Sequence, residues 1–246
     1  MDSTKANTKP HLPKHDDFVP PPPPWGDVRD TTHQDRIDIG FQDRQAWKNA
    51  PAVFDEHTLK IFGHPVMEDW ETPYMKELAE IATSKGGVIL ELGFGMAISA
   101  NFIQKANITR HIIAEANHEV AEKAREFGKN ATHPVEVLEG LWEEVIDQVP
   151  DESVDGILFD TYPLSELEIH KNHFGFFRTA FKKLKSGGVF TYYSDEINEY
   201  HPVHLQRLMD AGFKKENITG KVAPMNPPPD CQYWKADTML APIVVK

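Results

Sequence analysis

The sequence predicts an α/β fold, a mostly parallel central sheet with helices on both faces. Short apolar runs bounded by glycines alternate with helix-period segments from residue 86 onward. The runs are apolar at consecutive positions, as strands buried on both faces are. Two of them end in an acid, Glu115 and Asp160, and right-handed crossovers bring strand C-termini to the edge where such sheets bind ligands.

Taken in order, "GGVILELG" (86–93) reads as a buried strand and "AISANFIQKA" (97–106) as a short helix. "RHIIAEA" (110–116) is a second strand, and "HEVAEKAREFGKN" (118–130) a helix with a glycine near its end. "PVEVLEG" (134–140) and "SVDGILFD" (153–160) are the third and fourth strands. "KNHFGFFRTAFKKLKSGG" (171–188) reads as a helix stopped by two glycines, and "VFTYYSD" (189–195) as the fifth strand.

A chain of 246 residues with 40% hydrophobic content can bury one large core. Its formal charge of −12 argues against a nucleic-acid surface and against anionic membranes. Cys231 is the single cysteine, which excludes an intrachain disulfide and suits a reducing, cytoplasmic setting. No leader-like apolar segment precedes residue 18 and no run approaches a membrane span. Residues 1–42 are polar and contain five consecutive prolines, Pro20 to Pro24, so they read as a flexible tail. Residues 43–246 read as one domain. His170 and His173 are three apart without further ligands, so no metal is expected, and Cys231 reads as structural.

The first strand runs into Gly93-Phe94-Gly95-Met96-Ala97-Ile98. Gly93 and Gly95 allow a tight turn and close ligand approach. A dinucleotide fingerprint needs a third small residue where Ile98 stands, which weakens that reading. Glu115 follows Gly93 by 22 residues, the distance expected of an acid that binds ribose hydroxyls. A glycine turn, a ribose acid and no pyrophosphate cradle suit S-adenosylmethionine better than NAD. Each piece also has a plainer reading, as a turn or as a helix cap.

Larger blocks narrow this. "AWKNAPAVFDEHTLKIFG" (46–63), "PVMEDWETPYM" (65–75), "ELGFGMAI" (91–98), "GLWEEV" (140–145), "VDGILFDTYPLS" (154–165), "LKSGGVFTYY" (184–193), "LMDAGFKKENI" (208–218) and "CQYW" (231–234) resemble guanidinoacetate N-methyltransferase. Fungal arginine methyltransferases with a related catalytic domain share part of this pattern. The resemblance implies a Rossmann-like class I methyltransferase fold, S-adenosylmethionine as cofactor and a small-molecule guanidino acceptor such as guanidinoacetate, agmatine or arginine. It makes residues 43–75 an active-site cover. It assigns Asp160 and Glu71 to the guanidino group, with Thr161 beside them. Trp47, Met67 and Met75 correspond to pocket-lining residues. The turn Gly93 to Ile98, the stretch Glu115-Ala116-Asn117 and the pair Trp142-Glu143 fall to the cofactor, Glu115 on the ribose and Trp142 by the adenine, with Asp160 at the junction.

The chemistry explains a strand that ends in a carboxylate. A guanidinium is a planar cation with a pKa of about 12.5–13.8 if it behaves like arginine, and it does not attack a sulfonium methyl while protonated. Two carboxylates can hold its fork and aim one nitrogen, with proton loss coupled to methyl transfer. One departure stands out. Where the family carries backbone amides for an acceptor carboxylate, this chain reads Ser194-Asp195-Glu196, followed by a shortened insertion. Asp195 and Glu196 facing the pocket would favour a cationic or neutral acceptor tail. A protein-arginine methyltransferase of the fungal type and a nucleotide-binding module without chemistry are the alternative readings.

Overall fold

The structure, a computed structural model, describes residues 43–164, 172–229, 231 and 233–246. The proline-rich segment and His170, both read from the sequence, lie outside the described residues.

The described chain begins with a short helix α1 (Arg44–Asn49), capped by Asp43. A small antiparallel sheet follows, in the order β1 (Ala52–Phe54), β2 (Thr58–Ile61), β3 (His64–Glu68). A 3₁₀ turn at Asp69–Glu71 leads into α2 (Thr72–Ala82), with Pro73 in its first turn, where a missing N–H does no harm.

The main sheet contains β4 (Gly87–Leu92), β5 (Ile108–Glu115), β6 (Val135–Glu139), β7 (Val154–Phe159), β8 (Leu184–Tyr192), β9 (Ile218–Pro224) and β10 (Thr238–Val245). Their spatial order is β6-β5-β4-β7-β8-β10-β9. The first five are parallel, and β10 joins β8 and β9 in antiparallel pairing. The intervening helices are α3 (Ile98–Ile103), α4 (His118–Lys129), α5 (Trp142–Val145), α6 (Asn172–Lys183) and α7 (Pro202–Ala211).

Alternate residues of each strand feed two cores. Ile89, Ile113, Leu158 and Val189 pack with Leu78 of α2, Ile103 of α3 and Val120 of α4. Leu90, Ile112, Ile157 and Phe190 pack on the other face with Val145 of α5, Phe176 and Phe177 of α6 and Leu208 of α7. This is the mostly parallel sheet with helices on both faces that the strand–helix alternation predicts, and it fits the Rossmann-like fold that the resemblance implies.

The largest boundary difference from the sequence reading lies between α6 and β8. The segment 171–188 is not helical to its glycines: α6 stops at Lys183 and β8 begins at Leu184, which pairs with Val154. Gly187 N donates to Lys246 O at 2.8 Å and Lys246 N to Gly188 O at 3.0 Å. Pairing with the C-terminal segment therefore claims residues that local propensity assigns to the helix.

The chain winds outward from β4 to β6 and then returns to β7, so the strand order reverses between β4 and β7. That reversal opens a crevice at the strand C-termini.

Candidate active site

A cavity of about 340 Å³ fills this crevice. The β4 turn enters it through Gly93 and Gly95, β5 through Glu115 and Ala116, α5 through Trp142 and Glu143, and β7 through Asp160 and Thr161. The N-terminal cover adds Trp47, Met67 and Glu71, and the β8 end adds Tyr193 and Asp195. Most residues assigned from sequence thus meet in one cavity.

Gly93 is needed there for two reasons. Its φ is +90°, and a Cβ would come within 2.0 Å of the Asp160 carbonyl oxygen. The two strand ends that carry the reversal are in backbone contact, which fixes Asp160 relative to the glycine turn. Asp160 N also donates to Leu92 O at 2.9 Å.

Glu115 is 8% exposed at the end of β5. Its two oxygens accept from Phe94 N and Asn117 N, both at 2.9 Å. Burial nevertheless pushes its carboxyl above the usual range. Asn117 caps α4 through Oδ1, and its amide donates to Trp47 O at 2.9 Å and Ala50 O at 2.8 Å. Phe94 and Asn117 therefore act from behind the cavity wall. Met96 N sits 3.2 Å from Met67 Sδ, and Ala97 turns the chain into α3 at Ile98 with φ +64°. Met75 is fully buried in the core of α2 and Ile98 opens α3; neither lines the cavity. The sequence cannot separate a pocket methionine from a core one, because both read locally as apolar core fillers.

Trp142 stands edge-on to Phe159 and Phe176, with ring centroids 6.3 and 5.2 Å away. Glu143 pairs with Arg44 of α1, and its neighbour Glu144 pairs with Lys48 at 2.9 Å. Trp47 stacks on Tyr162 at 4.9 Å with planes 9° apart. Helix α1 is thereby fastened to α5, α4 and the β7 loop.

Two further acids of the cavity, Glu71 and Asp160, are unusual. Glu71 is 4% exposed and does not cap α2 with its side chain. Its Oε1 accepts from Glu68 N at 3.0 Å and Tyr233 Oη at 2.8 Å. Burial and then the neighbouring Asp160 push its pKa up to about 8. Asp160 is pushed up to about 7, first by burial, then by Asp195 and Glu91. Glu91 lies fully buried behind the site, bonded by Ser99 Oγ and 2.9 Å from His111 Nε2.

The two acids after β8 divide. Asp195 lines the cavity. Glu196 does not reach it: its Oε1 accepts from His201 N at 2.9 Å and meets His204 Nδ1 at 2.8 Å, which turns the carboxylate toward α7. Its expected role at the acceptor is thus corrected, because α7 supplies it with partners. Tyr193 and Tyr233 are lining residues that sequence reading left without a role. "CQYW" marked Tyr233 only as part of a pattern, and nothing local distinguishes Tyr193 from a strand-core tyrosine.

Away from the cavity, His118, Glu122 and Glu139 group on the surface, where Arg125 bridges both acids. His173 is buried and stacks on Tyr192 at 5.1 Å. Cys231 is buried, and burial raises its thiol pKa. Among the described residues, no helix is long and apolar enough to cross a membrane.

The donor set fits S-adenosylmethionine. A carboxylate at the end of β5 can accept from a ribose diol, Trp142 offers an aromatic wall for a base, and the glycine turn lies between them and the acids.

Comparison with known proteins agrees. The chain matches the guanidinoacetate N-methyltransferase family over residues 36–246. Protein arginine N-methyltransferase 2 of Kluyveromyces lactis is 33% identical over 136 residues, 52% of this chain and 32% of that protein. The same-named protein of Candida glabrata is 38% identical over 104 residues, 39% of this chain and 25% of that protein. The chain thus spans about a third or less of the length of these two relatives. Spermidine synthase from Thermotoga maritima superposes with a TM-score of 0.55 at 14% identity, covering 79% of this chain and 71% of that one. M. jannaschii TYW2, solved in complex with AdoMet, gives a TM-score of 0.51 at 14% identity, covering 80% and 85%. Those two likenesses bear on the fold, whereas the match over residues 36–246 bears on the family. The chain belongs to the guanidinoacetate N-methyltransferase family, and S-adenosylmethionine is its cofactor.

Proposed function

We propose that the protein is a guanidino N-methyltransferase, acting on a small molecule through Glu71 and Asp160. The observation that carries this is the pair itself: two carboxylates, on the cover and on β7, line one cavity with pKa values raised to about 8 and about 7. Buried acids held near neutrality gain most from a cationic partner. A guanidinium entering the site replaces their mutual repulsion with two charge-assisted hydrogen bonds.

When bound, S-adenosylmethionine supplies an electrophilic methyl group on its sulfonium. Glu115 would hold the ribose and Trp142 the base, in the same cavity that Asp160 lines. Asp160 and Glu71 grip the guanidinium fork and orient one nitrogen. Tyr233 Oη, donating to Glu71, fixes that carboxylate in place. The proton leaves the attacking nitrogen as its acidity rises on methylation, and Asp160 or Glu71 is the acceptor. Trp47, stacked on Tyr162, closes the cavity against water.

The relatives named protein arginine N-methyltransferase 2 support a second reading, the same chemistry on an arginine side chain of a protein. The deciding experiment is a transfer assay with methyl-labelled S-adenosylmethionine. Acceptors are guanidinoacetate, agmatine, arginine, guanidinopropionate and an arginine-rich protein. Label in a small guanidino compound is expected; label confined to protein overturns the small-molecule reading, and no label in any acceptor overturns guanidino transfer.

A further inference from the structure

A buried hydroxyl on the cavity wall has nothing to bond. Tyr193 Oη is shut off from water and has no hydrogen-bond partner among the described residues. Other tyrosines are satisfied. Tyr74 Oη donates to Leu240 O at 2.9 Å, Tyr233 Oη to Glu71 Oε1 at 2.8 Å and Tyr200 Oη to Thr219 O at 2.8 Å. Tyr192 Oη lies 2.6 Å from His204 Nε2. Buried tyrosine hydroxyls usually find such partners, and an unpaired one costs stability. A phenylalanine would fill the same position without that cost. Thr191 Oγ1 and Trp234 Nε1 are also buried and unpaired, but neither residue lines the cavity, whereas Tyr193 does.

The sheet fixes what stands beside it. Phe159 of β7 pairs with Tyr192 of β8, and Tyr193 N donates to Phe159 O at 3.1 Å, so the ladder carries Tyr193 alongside Asp160. Side chains alternate along a strand. Phe159 and Tyr192 face the core of α6 and α7, and Tyr193 packs toward the opposite core, which includes Trp47 and Met67 of the cover. Its ring meets that of Tyr74 of α2 near a right angle, with centroids 5.3 Å apart. Glu71 stands one helical turn before Tyr74, at the start of α2. Tyr193 therefore touches both elements that deliver the acids, β7 with Asp160 and α2 with Glu71. Burial raises its pKa above the ordinary value, so the phenol keeps its proton.

We propose that Tyr193 is a third acceptor-binding residue: its oxygen takes one N–H of a guanidinium held between Asp160 and Glu71, and its own O–H turns to the Asp160 carboxylate beside it. This rests on the guanidino reading above and adds a residue to that site. A guanidinium has five N–H donors and no acceptor, so a group that accepts from it and donates to a carboxylate suits a place between two acids. The acceptor then supplies the bond that the ligand-free protein leaves unmade.

The test compares wild type with Tyr193→Phe, both as full chains saturated with S-adenosylhomocysteine and titrated calorimetrically with guanidinoacetate and with agmatine. The variant is expected to lose at least about tenfold in affinity for each compound, by similar factors, because the guanidinium is what the two share. Its ligand-free melting temperature is expected to equal or exceed that of wild type, because the hydroxyl removed had no partner. Its affinity for S-adenosylhomocysteine is expected to hold. Unchanged affinity for the guanidino compounds, or a loss confined to one of them, overturns the proposal. A fall of the same size for S-adenosylhomocysteine places the hydroxyl at the cofactor and overturns it too. So does a melting temperature clearly below wild type, or failure to fold, since either means that the hydroxyl is already bonded without ligand. If wild type binds only one of the compounds, that one decides. Binding of neither to wild type overturns the guanidino reading itself, and this assignment with it.

Discussion

At the scale of single residues, the site is a set of acids whose positions the strands determine. Asp160 and Glu115 were legible as cavity residues because strand C-termini of a parallel sheet share the edge where the crevice opens. Glu71 was legible through its pattern alone, since an acid before Pro73 reads locally as a helix start. Its side chain does close the capping box of the 3₁₀ turn through Glu68 N, and it also accepts from Tyr233 Oη inside the cavity. Tyr193 and Tyr233 escaped notice because aromatic residues in strands and loops are ordinary core material. Asp160→Asn keeps the shape, removes the charge and puts a donor where an acceptor stood. Turnover is expected to fall roughly 10²-fold or more. S-adenosylhomocysteine affinity is expected to hold, because in the proposed function that contact falls to Glu115 and Trp142. Glu71→Gln is expected to behave alike. Steady-state kinetics beside calorimetry check this, and near-normal turnover in either variant removes that residue from the chemistry.

At the scale of elements, the five parallel strands and the helices α3, α4 and α6 were readable from short apolar runs and helix-period segments, whereas the four-residue α5 was not. The end of α6 was not, because Leu184 to Gly188 are claimed by pairing with β7 and the C-terminal Lys246. The cover was readable only as a resemblance: β1 to β3 are three to five residues each, too short to show a period. What ties the cover down is Asn117, fully buried, which caps α4 with its oxygen and holds α1 with its amide. The two roles can be separated. Asn117→Asp retains the cap, worth about 1 kcal/mol, but loses both donations to Trp47 O and Ala50 O. Asn117→Ala loses cap and tether together. Proteolytic cleavage within residues 43–50 is expected to accelerate in both variants, and the melting temperature is expected to fall further in Asn117→Ala. Cleavage no faster than wild type in Asn117→Asp shows that Arg44, Lys48 and the Trp47–Tyr162 stack hold α1 without it.

At the scale of the whole molecule, folding without ligand brings like charges together, and this has a pH signature. The unfolded chain ionises Glu71 and Asp160 near their ordinary values of 4.5 and 3.8, whereas the folded protein retains their protons until about 8 and about 7. Between those limits the folded state binds more protons, so stability is greatest at the acidic side and falls as pH rises through the folded pKa values. His204 works in the opposite direction, since burial lowers its pKa, but that effect is confined to pH below its ordinary 6.5. The window that excludes His204 is therefore pH 6.5 to 8.5. His57 and His118, exposed and raised by Asp69 and Glu139, lose their partners' favour in the same window, so the slope needs a variant to assign it. One fully shifted group contributes up to about 1.4 kcal/mol per pH unit. At about 2–4 °C per kcal/mol for a chain of this size, the ligand-free protein is expected to lose several degrees of melting temperature across the window. Glu71→Gln is expected to flatten that loss. A cationic acceptor should reverse the dependence, because it stabilises the ionised pair and displaces the protons, so its affinity rises with pH over the same range. Scanning calorimetry at pH 6.5, 7.5 and 8.5, with and without agmatine on the S-adenosylhomocysteine complex, measures both limbs. A melting temperature that is flat with pH in the ligand-free protein, or agmatine stabilisation that shrinks as pH rises, means that Glu71 and Asp160 are already ionised at pH 6.5, and that acceptor binding draws on charge the folded protein holds from the start.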